Sequence, residues 1–199
     1  MLHFGAVDYE ATVYINGNKC GTHKGGYVSF FFDITKYLKV GVNTVTVHAV
    51  DDTKDRRIPS GKQSDRYESY GCFYTRSTGI WQTVWLEFVP QTHIKNVKYL
   101  TDIENGVLQI TAELVGSAEF RASASYMGEP MGEACVSSNG GIAYLQLPLK
   151  QIHLWEVGKG RLYDLKLSYG EDEVDSYFGM RSVQLDGYKF LINGKSVFQ

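Results

Sequence analysis

The residues best suited to chemistry crowd between Asp51 and Thr78. That stretch holds Asp51, Asp52, Asp55, Arg56, Arg57, Lys62, Gln63, Asp65, Arg66, Tyr74 and Arg76, punctuated by Pro59 and Gly61. Compact domains rarely keep so long a connection unless it is functional or disordered. Arg76, Tyr74, Lys62 and Gln63 are the candidates for holding a polar ligand, through their charge, hydroxyl and amide groups. The competing reading is structural: Arg76 and Lys62 pair with loop acids and hold the loop down. Asp51 and Asp52, with Asp55, come nearest to a carboxylate pair for acid–base work. Adjacent residues at a strand end point to opposite faces, which argues against convergence. Their spacing is not that of a calcium loop either, so a solvated acidic turn is expected.

Outside that stretch the chemical vocabulary is sparse. His3, His23, His48, His93 and His153 show no metal-ligand spacing, and His23 reads as loop packing. There is no nucleophile elbow, phosphate loop or dinucleotide fingerprint. Gly25-Gly26 is a backbone device, since no helix follows it directly. No metal and no cofactor are expected. Trp81 and Trp85 fall at i and i+4, so they align on one strand face as a conceivable sugar platform. The apolar residues on the opposite face favour packing instead. Trp155 reads as an edge anchor of a second sandwich.

The elements that must position these residues are strands. Ala11, Val13 and Ile15 alternate with Thr12 and Tyr14, and Asn16-Gly17 is a hairpin turn. Tyr27 to Phe32 predicts a strand. Asp33-Ile34-Thr35 predicts an N-cap opening one short turn through Leu38. Thr44 to Val50 alternates again. Gly79 to Val89 reads as a strand buried on both faces, with Ile80, Val84, Leu86 and Phe88 on one side and Trp81, Trp85 and Val89 on the other. Pro90-Gln91-Thr92 is a boundary. About seven short strands follow, with turns at Glu104-Asn105-Gly106, Gly128-Glu129-Pro130 and Ser138-Asn139-Gly140-Gly141, the pattern of an immunoglobulin-like sandwich. A last hairpin turns at Asn193-Gly194, and its second strand stops at Gln199.

Composition fits this picture and removes several function classes. The chain has 199 residues, long enough for two small domains. Its 14 Tyr, 10 Phe and 21 Gly favour strands and turns. Aromatic rings also suit sugar faces, although most belong to sandwich cores. A net charge of −2 with no basic run argues against nucleic acid. No apolar run reaches about 18 residues, so no membrane-spanning helix is predicted. Cys20, Cys72 and Cys135 are odd in number and scattered. They predict no disulfide framework and fit a reducing, cytoplasmic compartment.

Three runs carry a resemblance. The first is Phe4-Gly5-Ala6-Val7-Asp8-Tyr9-Glu10-Ala11-Thr12-Val13-Tyr14-Ile15-Asn16-Gly17, continued by Gly21-Thr22-His23-Lys24-Gly25-Gly26-Tyr27 and Phe32-Asp33-Ile34-Thr35. The second is Thr78-Gly79-Ile80-Trp81-Gln82-Thr83-Val84-Trp85-Leu86-Glu87. The third joins Leu162-Tyr163, Tyr177-Phe178-Gly179-Met180-Arg181 and Phe190-Leu191-Ile192-Asn193-Gly194-Lys195. In this order they resemble glycoside hydrolase family 2, the β-galactosidases, β-glucuronidases and β-mannosidases.

The resemblance implies an all-β chain: a partial jelly-roll sugar-binding sandwich over 1–90, then an immunoglobulin-like β-sandwich over 91–182. Residues 183–199 would open a (β/α)₈ barrel. The family's catalytic glutamates lie on that barrel, so no catalytic residue is assigned here. Retaining hydrolysis needs two carboxyl groups about 5 Å apart, and no turnover is expected from this chain alone. In relatives the loop before Gly79 reaches the barrel mouth and contacts sugar. Many carry an acid six positions before that glycine, where this chain has Phe73. The implied function is the substrate-shaping part of a β-galactosidase first and a β-glucuronidase second. The implied partners are its carbohydrate substrate, the barrel and further copies of the chain. A stand-alone carbohydrate-binding module and a purely structural pair of sandwiches are the alternatives.

Overall fold

The computed structural model describes residues 1–198, so the expectation of an open strand end at Gln199 lies outside them. Among the described residues the chain is all-β, with one 3₁₀ turn, and it divides into two compact units, Met1–Phe88 and Val89–Gln199.

The first unit builds its core from two small sheets. One has the order β5 (Phe30–Phe32), β1 (Leu2–Phe4), β8 (Val84–Leu86). The other is β4 (Asn18–Lys24), β3 (Glu10–Ile15), β6 (Val45–Val50). β2 (Val7–Asp8) pairs with β7 (Gly79–Ile80). The alternation in β3 places Ala11, Val13 and Ile15 inside, against Leu2, Phe4, Val7 and Ile34. Asn16 and Gly17 both take positive φ, as a tight primed turn requires. Asn16 does more than turn the chain: its amide donates to the Tyr37 carbonyl, and its Oδ1 accepts from the Thr44 N–H.

Several expectations for this unit are corrected. Gly79 to Val89 is not one doubly buried strand. It breaks into β7 and β8 around Trp81-Gln82-Thr83, and Ile80, Val84, Leu86 and Phe88 are all exposed. Apolar character on both faces told of composition, not of cover. Tyr27 to Phe32 is strand only at its last three residues. The turn Thr35–Tyr37 begins after Ile34, and Asp33 caps nothing in the helical sense. Its carboxylate accepts from the Thr35 N–H at 2.9 Å, a local Asx-type bond. His23 sits on β4 and stacks on Phe30 at 4.1 Å; it is not loop packing.

The second unit is the seven-strand sandwich. Its three-stranded sheet runs β13 (Gly141–Pro148), β10 (Val107–Val115), β9 (His93–Asp102). Its four-stranded sheet runs β12 (Glu129–Ser138), β11 (Ala118–Tyr126), β14 (Tyr163–Tyr169), β15 (Asp172–Phe178). The strict alternation of β10 and β14 puts Leu108, Ile110, Ala112, Leu114, Tyr163, Leu165, Leu167 and Tyr169 into one core. The predicted turn at Gly128-Glu129-Pro130 lies one residue earlier. Met127 and Gly128 take positive φ, and Glu129 already pairs with Tyr126. The strands β16 (Val183–Asp186), β17 (Lys189–Ile192) and β18 (Lys195–Ser196) form the closing meander. There Asn193 again ties as well as turns: it accepts from Ser182 N and donates to the Trp155 carbonyl.

Candidate functional site

The stretch 51–78 forms no regular strand or helix, yet it is tightly stapled. Asp52 Oδ1 accepts from Lys54 N, and Asp55 Oδ1 accepts from Arg57 N, so each aspartate closes its own turn. Lys62 to Ser64 lies beside Tyr74: Tyr74 N donates to the Lys62 carbonyl and Ser64 N to the Tyr74 carbonyl. Ser64 is fully buried, and its hydroxyl donates to the Glu68 carbonyl. A loop with its backbone satisfied in this way can present side chains in fixed places.

What it presents is aromatic and cationic. The Arg76 guanidinium lies 4.6 Å from the Tyr67 ring centre, and that of Arg66 lies 3.9 Å from Tyr70. Arg76 therefore pairs with a ring, not with a loop acid as the structural reading expected; that pairing falls to Arg57 and Asp55. Arg76, Tyr74 and Lys62 are exposed, so three of the four candidate ligand residues face outward. Phe73, standing where an acid was looked for, packs its ring 5.1 Å from Tyr70.

Gln63 differs from the other three. It is only 6% exposed, and both ends of its amide are engaged. Nε2 donates to Asp8 Oδ2 at 2.7 Å, and Oε1 accepts from Ser77 N at 2.9 Å. Gln63 thus clamps the loop to β2. Asp8 is itself 5% exposed, and its second oxygen has no hydrogen-bond partner. Asp51 comes in beside this clamp. Both its oxygens are buried without a donor, and burial, then the charges of Asp8 and Asp52, push its carboxyl above the ordinary range. The Gln63 amide, which donates to Asp8 Oδ2, lies near enough to Asp51 to offset part of that rise.

Sequence reasoning missed this pair. The Asp51 carboxyl is buried where a solvated acidic turn was expected, and the charge of Asp8, 43 positions away in sequence, acts on it. The available signal was a charged residue directly after the buried Val7 in an apolar strand. Gly26 and Trp81 complete the surroundings. Trp81 Nε1 donates to the Gly26 carbonyl at 2.7 Å, and its ring meets Tyr27 edge-on. A β-carbon on Gly26 would lie 2.4 Å from Asp8 Oδ1. Trp85 is not aligned with Trp81; it stacks on His3 at 4.9 Å. Burial, then the charges of Asp8, Tyr74 and Asp51, raises the Tyr27 hydroxyl above its usual value.

One pH effect follows on the exposed side of the loop. The fork from Arg57 holds the Asp55 carboxyl down to about 2. A depressed carboxylate contributes to folding above its unfolded value and loses that contribution as pH falls through its folded value. The Asp55–Arg57 turn is therefore expected to persist at pH 4 and loosen near pH 2. Carboxyl chemical shifts would check this; titration of Asp55 at 3.8 or above would contradict it.

In the second unit Trp155 runs beside Met180, donating its N–H to that carbonyl, and the Arg181 guanidinium lies 4.8 Å from its ring. Among the described residues no group of three or more His, Cys, Asp or Glu is arranged around a common point.

Comparison with known proteins covers nearly the whole chain. Residues 1–90 match the family model for the sugar binding domain of glycosyl hydrolases family 2, and residues 92–181 match a second model of glycosyl hydrolases family 2. A β-galactosidase of Thermoanaerobacter pseudethanolicus is 32% identical over 98% of this chain, which spans 28% of that protein. A putative β-glucuronidase of Formosa agariphila is 29% identical over 98% of the chain and 24% of its own length. The fold matches the β-glucuronidase from Ruminococcus gnavus in complex with D-glucaro-d-lactam, with a TM-score of 0.74 and 24% identity. That match covers 99% of this chain and 36% of the other. The chain thus spans about a quarter to a third of these relatives.

Proposed function

Since the chain belongs to glycosyl hydrolase family 2, its two domain models meeting at the Pro90-Gln91-Thr92 boundary, we propose that it is the substrate-shaping portion of a retaining glycosidase. Its activity would be cleavage of terminal β-galactosides. Residues 183–199 would lead into the barrel that carries the two glutamates, which divide one hard displacement into two easier ones. In this reading the chain does no bond-breaking. It supplies one wall of the sugar site.

The observation that carries the reading is the stapled 51–78 loop with Arg76 held on the Tyr67 ring. A guanidinium kept in one place by a ring loses little freedom when it meets a sugar hydroxyl. Tyr74, half-exposed two residues before it, adds a hydroxyl and a ring face. Gln63 acts indirectly, by holding the loop through Asp8 and Ser77. Galactose is preferred over glucuronate because the β-galactosidase relative reaches 32% identity. Phe73 gives an apolar contact where the relatives' acid would grip a hydroxyl.

The test compares nitrophenyl β-galactoside and β-glucuronide on the enzyme that contains this chain. Arg76→Ala is expected to raise KM for the galactoside about tenfold, near 1.4 kcal/mol, with kcat within about a factor of two. Unchanged KM with lowered stability would make Arg76 a loop brace and remove it from the site. A preference for the glucuronide would reverse the choice of sugar. Saturable galactoside binding by residues 1–199 alone would favour the stand-alone module.

A further inference from the structure

We propose that the surface around Trp155 and Glu156 binds an anionic saccharide, a chain whose sugar rings carry carboxylates. The site lies in the second unit and uses no residue of the 51–78 loop, so it rests on membership of a glycosyl hydrolase family and not on the role given to Arg76.

Positive charge is in local surplus here. The backbone of Leu154 and Trp155 runs beside Met180: Leu154 pairs with it, and Trp155 N donates to its carbonyl. The closing meander folds onto the same segment, where Asn193 Nδ2 donates to the Trp155 carbonyl and Asn193 Oδ1 accepts from Ser182 N. These bonds gather four cations. Lys159, Arg161 and Lys195 stand around the Glu156 carboxylate at 3.7, 3.9 and 3.5 Å. The Arg181 guanidinium, next in sequence to Ser182, lies 4.8 Å from the centre of the Trp155 ring. Among the described residues Arg181 forms no ion pair, and Glu156 is the one acid paired with the other three. Four positive charges thus meet one negative charge, in a chain whose net charge is −2. At these distances Glu156 satisfies none of its cations closely, so donors are left for an incoming anion.

Two hollows flank this segment, and their difference selects the anion. One, of about 320 Å³, is lined by Trp155, Leu162, Tyr177, Phe178, Gly179 and Arg181. It offers ring faces and one guanidinium. A β-carbon on Gly179 would fall 3.2 Å from Trp155 Cβ, so the glycine lets the indole lie close to the chain there. The other, also about 320 Å³, includes Glu156, Lys159, Asn193 and Lys195 in its lining. It offers ammonium groups and an amide. Bare phosphate or sulfate would use the cations and leave the rings idle. A neutral sugar would use the rings and leave the cations unpaired. An acidic peptide brings carboxylates without a ring on each. A polyuronate carries a carboxylate on every pyranose, so one ring can pack on Tyr177 or Trp155 while neighbouring carboxylates meet Arg181 and the lysines. Arg181 suits the carboxylate, because its planar fork takes both oxygens and its place over the indole fixes it beforehand.

Calorimetric titration of the enzyme that contains this chain tests the site. The probes are an oligogalacturonate, a neutral galacto-oligosaccharide of matched length, sodium sulfate and polyglutamate. Saturable oligogalacturonate binding is expected, at least about tenfold tighter than any of the other three, and weaker as salt rises to physiological strength. Arg181→Gln should weaken it about tenfold, and Lys159→Gln and Tyr177→Ala about threefold each. Lys166→Gln, which removes an exposed lysine paired with Glu173 in the same unit, should leave it intact. So should Arg76→Ala, which separates failure of this site from failure of the sugar wall assigned to the loop. Absence of saturable binding, or binding indifferent to Arg181→Gln, Lys159→Gln and Tyr177→Ala, would overturn the proposal. Polyglutamate binding as tightly would also overturn it and make the patch a seat for an acidic protein; a neutral oligosaccharide or sulfate binding as tightly would do the same for the choice of ligand. If Arg181→Gln fails to fold, Lys159→Gln and Tyr177→Ala, both on exposed side chains, still decide.

Discussion

Gln63→Leu should lower the stability of the first unit by about 2–4 kcal/mol, the cost of stranding a buried carboxylate. The substitution keeps the volume of the side chain and removes only its polar end. Asp8 then has no donor on either oxygen, and Ser77 N loses its acceptor. The second loss frees the far end of the loop, so protease cleavage between residues 60 and 78 should accelerate along with the fall in urea midpoint. Gln63→Glu sharpens the test. It sets a third carboxylate beside Asp8 and Asp51, in a place where burial already pushes Asp51 upward. An acid with a raised folded value is best tolerated when protonated, and its cost grows as pH rises. The deficit of Gln63→Glu should therefore be small at pH 4 and large at pH 8. A deficit independent of pH, or a Gln63→Leu protein as stable as the parent, would show that the clamp is ornamental.

Tyr163→Ala should be the most damaging single change in the second unit, at about 3–5 kcal/mol for truncation of a buried aromatic. Tyr163 is completely buried and stacks on Phe178 at 4.8 Å. Its hydroxyl accepts from His153 N at 2.7 Å and donates to the Gln151 carbonyl at 2.9 Å. It therefore fills the core and also fixes the long connection between β13 and β14. Tyr163→Phe separates the two roles. It keeps the ring and should cost only about 1–2 kcal/mol, the loss of the hydroxyl's bonds. Chemical denaturation of both variants checks the split. Equal losses would mean that the ring contributes nothing beyond the hydroxyl.

Tyr163 also illustrates what could be read in advance. Its alternation with Leu165, Leu167 and Tyr169 was visible as a period of two, and the structure buries all four. The hairpin residues Asn16-Gly17 and Asn193-Gly194 were equally plain, because few residues accept the backbone those turns demand. Their side chains were not plain. That Asn16 reaches Tyr37 and Thr44, and Asn193 reaches Trp155 and Ser182, depends on which segment folds back over each turn.

The stretch 79–89 marks the opposite case. Its apolar residues predicted burial on two sides, but a one-dimensional pattern reports only what a strand could cover, not what covers it. Trp81-Gln82-Thr83 breaks the strand, and Trp81 leaves the shared face to bond Gly26. The loop before it was singled out correctly as unusual in length and polarity. Which of its residues face outward was not legible, and Gln63 proved to be a buried clamp while Arg76 took a ring as its partner.

By itself the sequence determined the local rules: period-two strands, primed turns, and ordered motifs enough to name the family. Each of those depends on residues close together in the chain, whose spacing sets backbone geometry directly. Only the tertiary structure brought Asp8, Asp51 and Gln63 to one point. Their meeting depends on the pairing of β2 with β7 and on the path of a loop without regular structure, and no local periodicity encodes either.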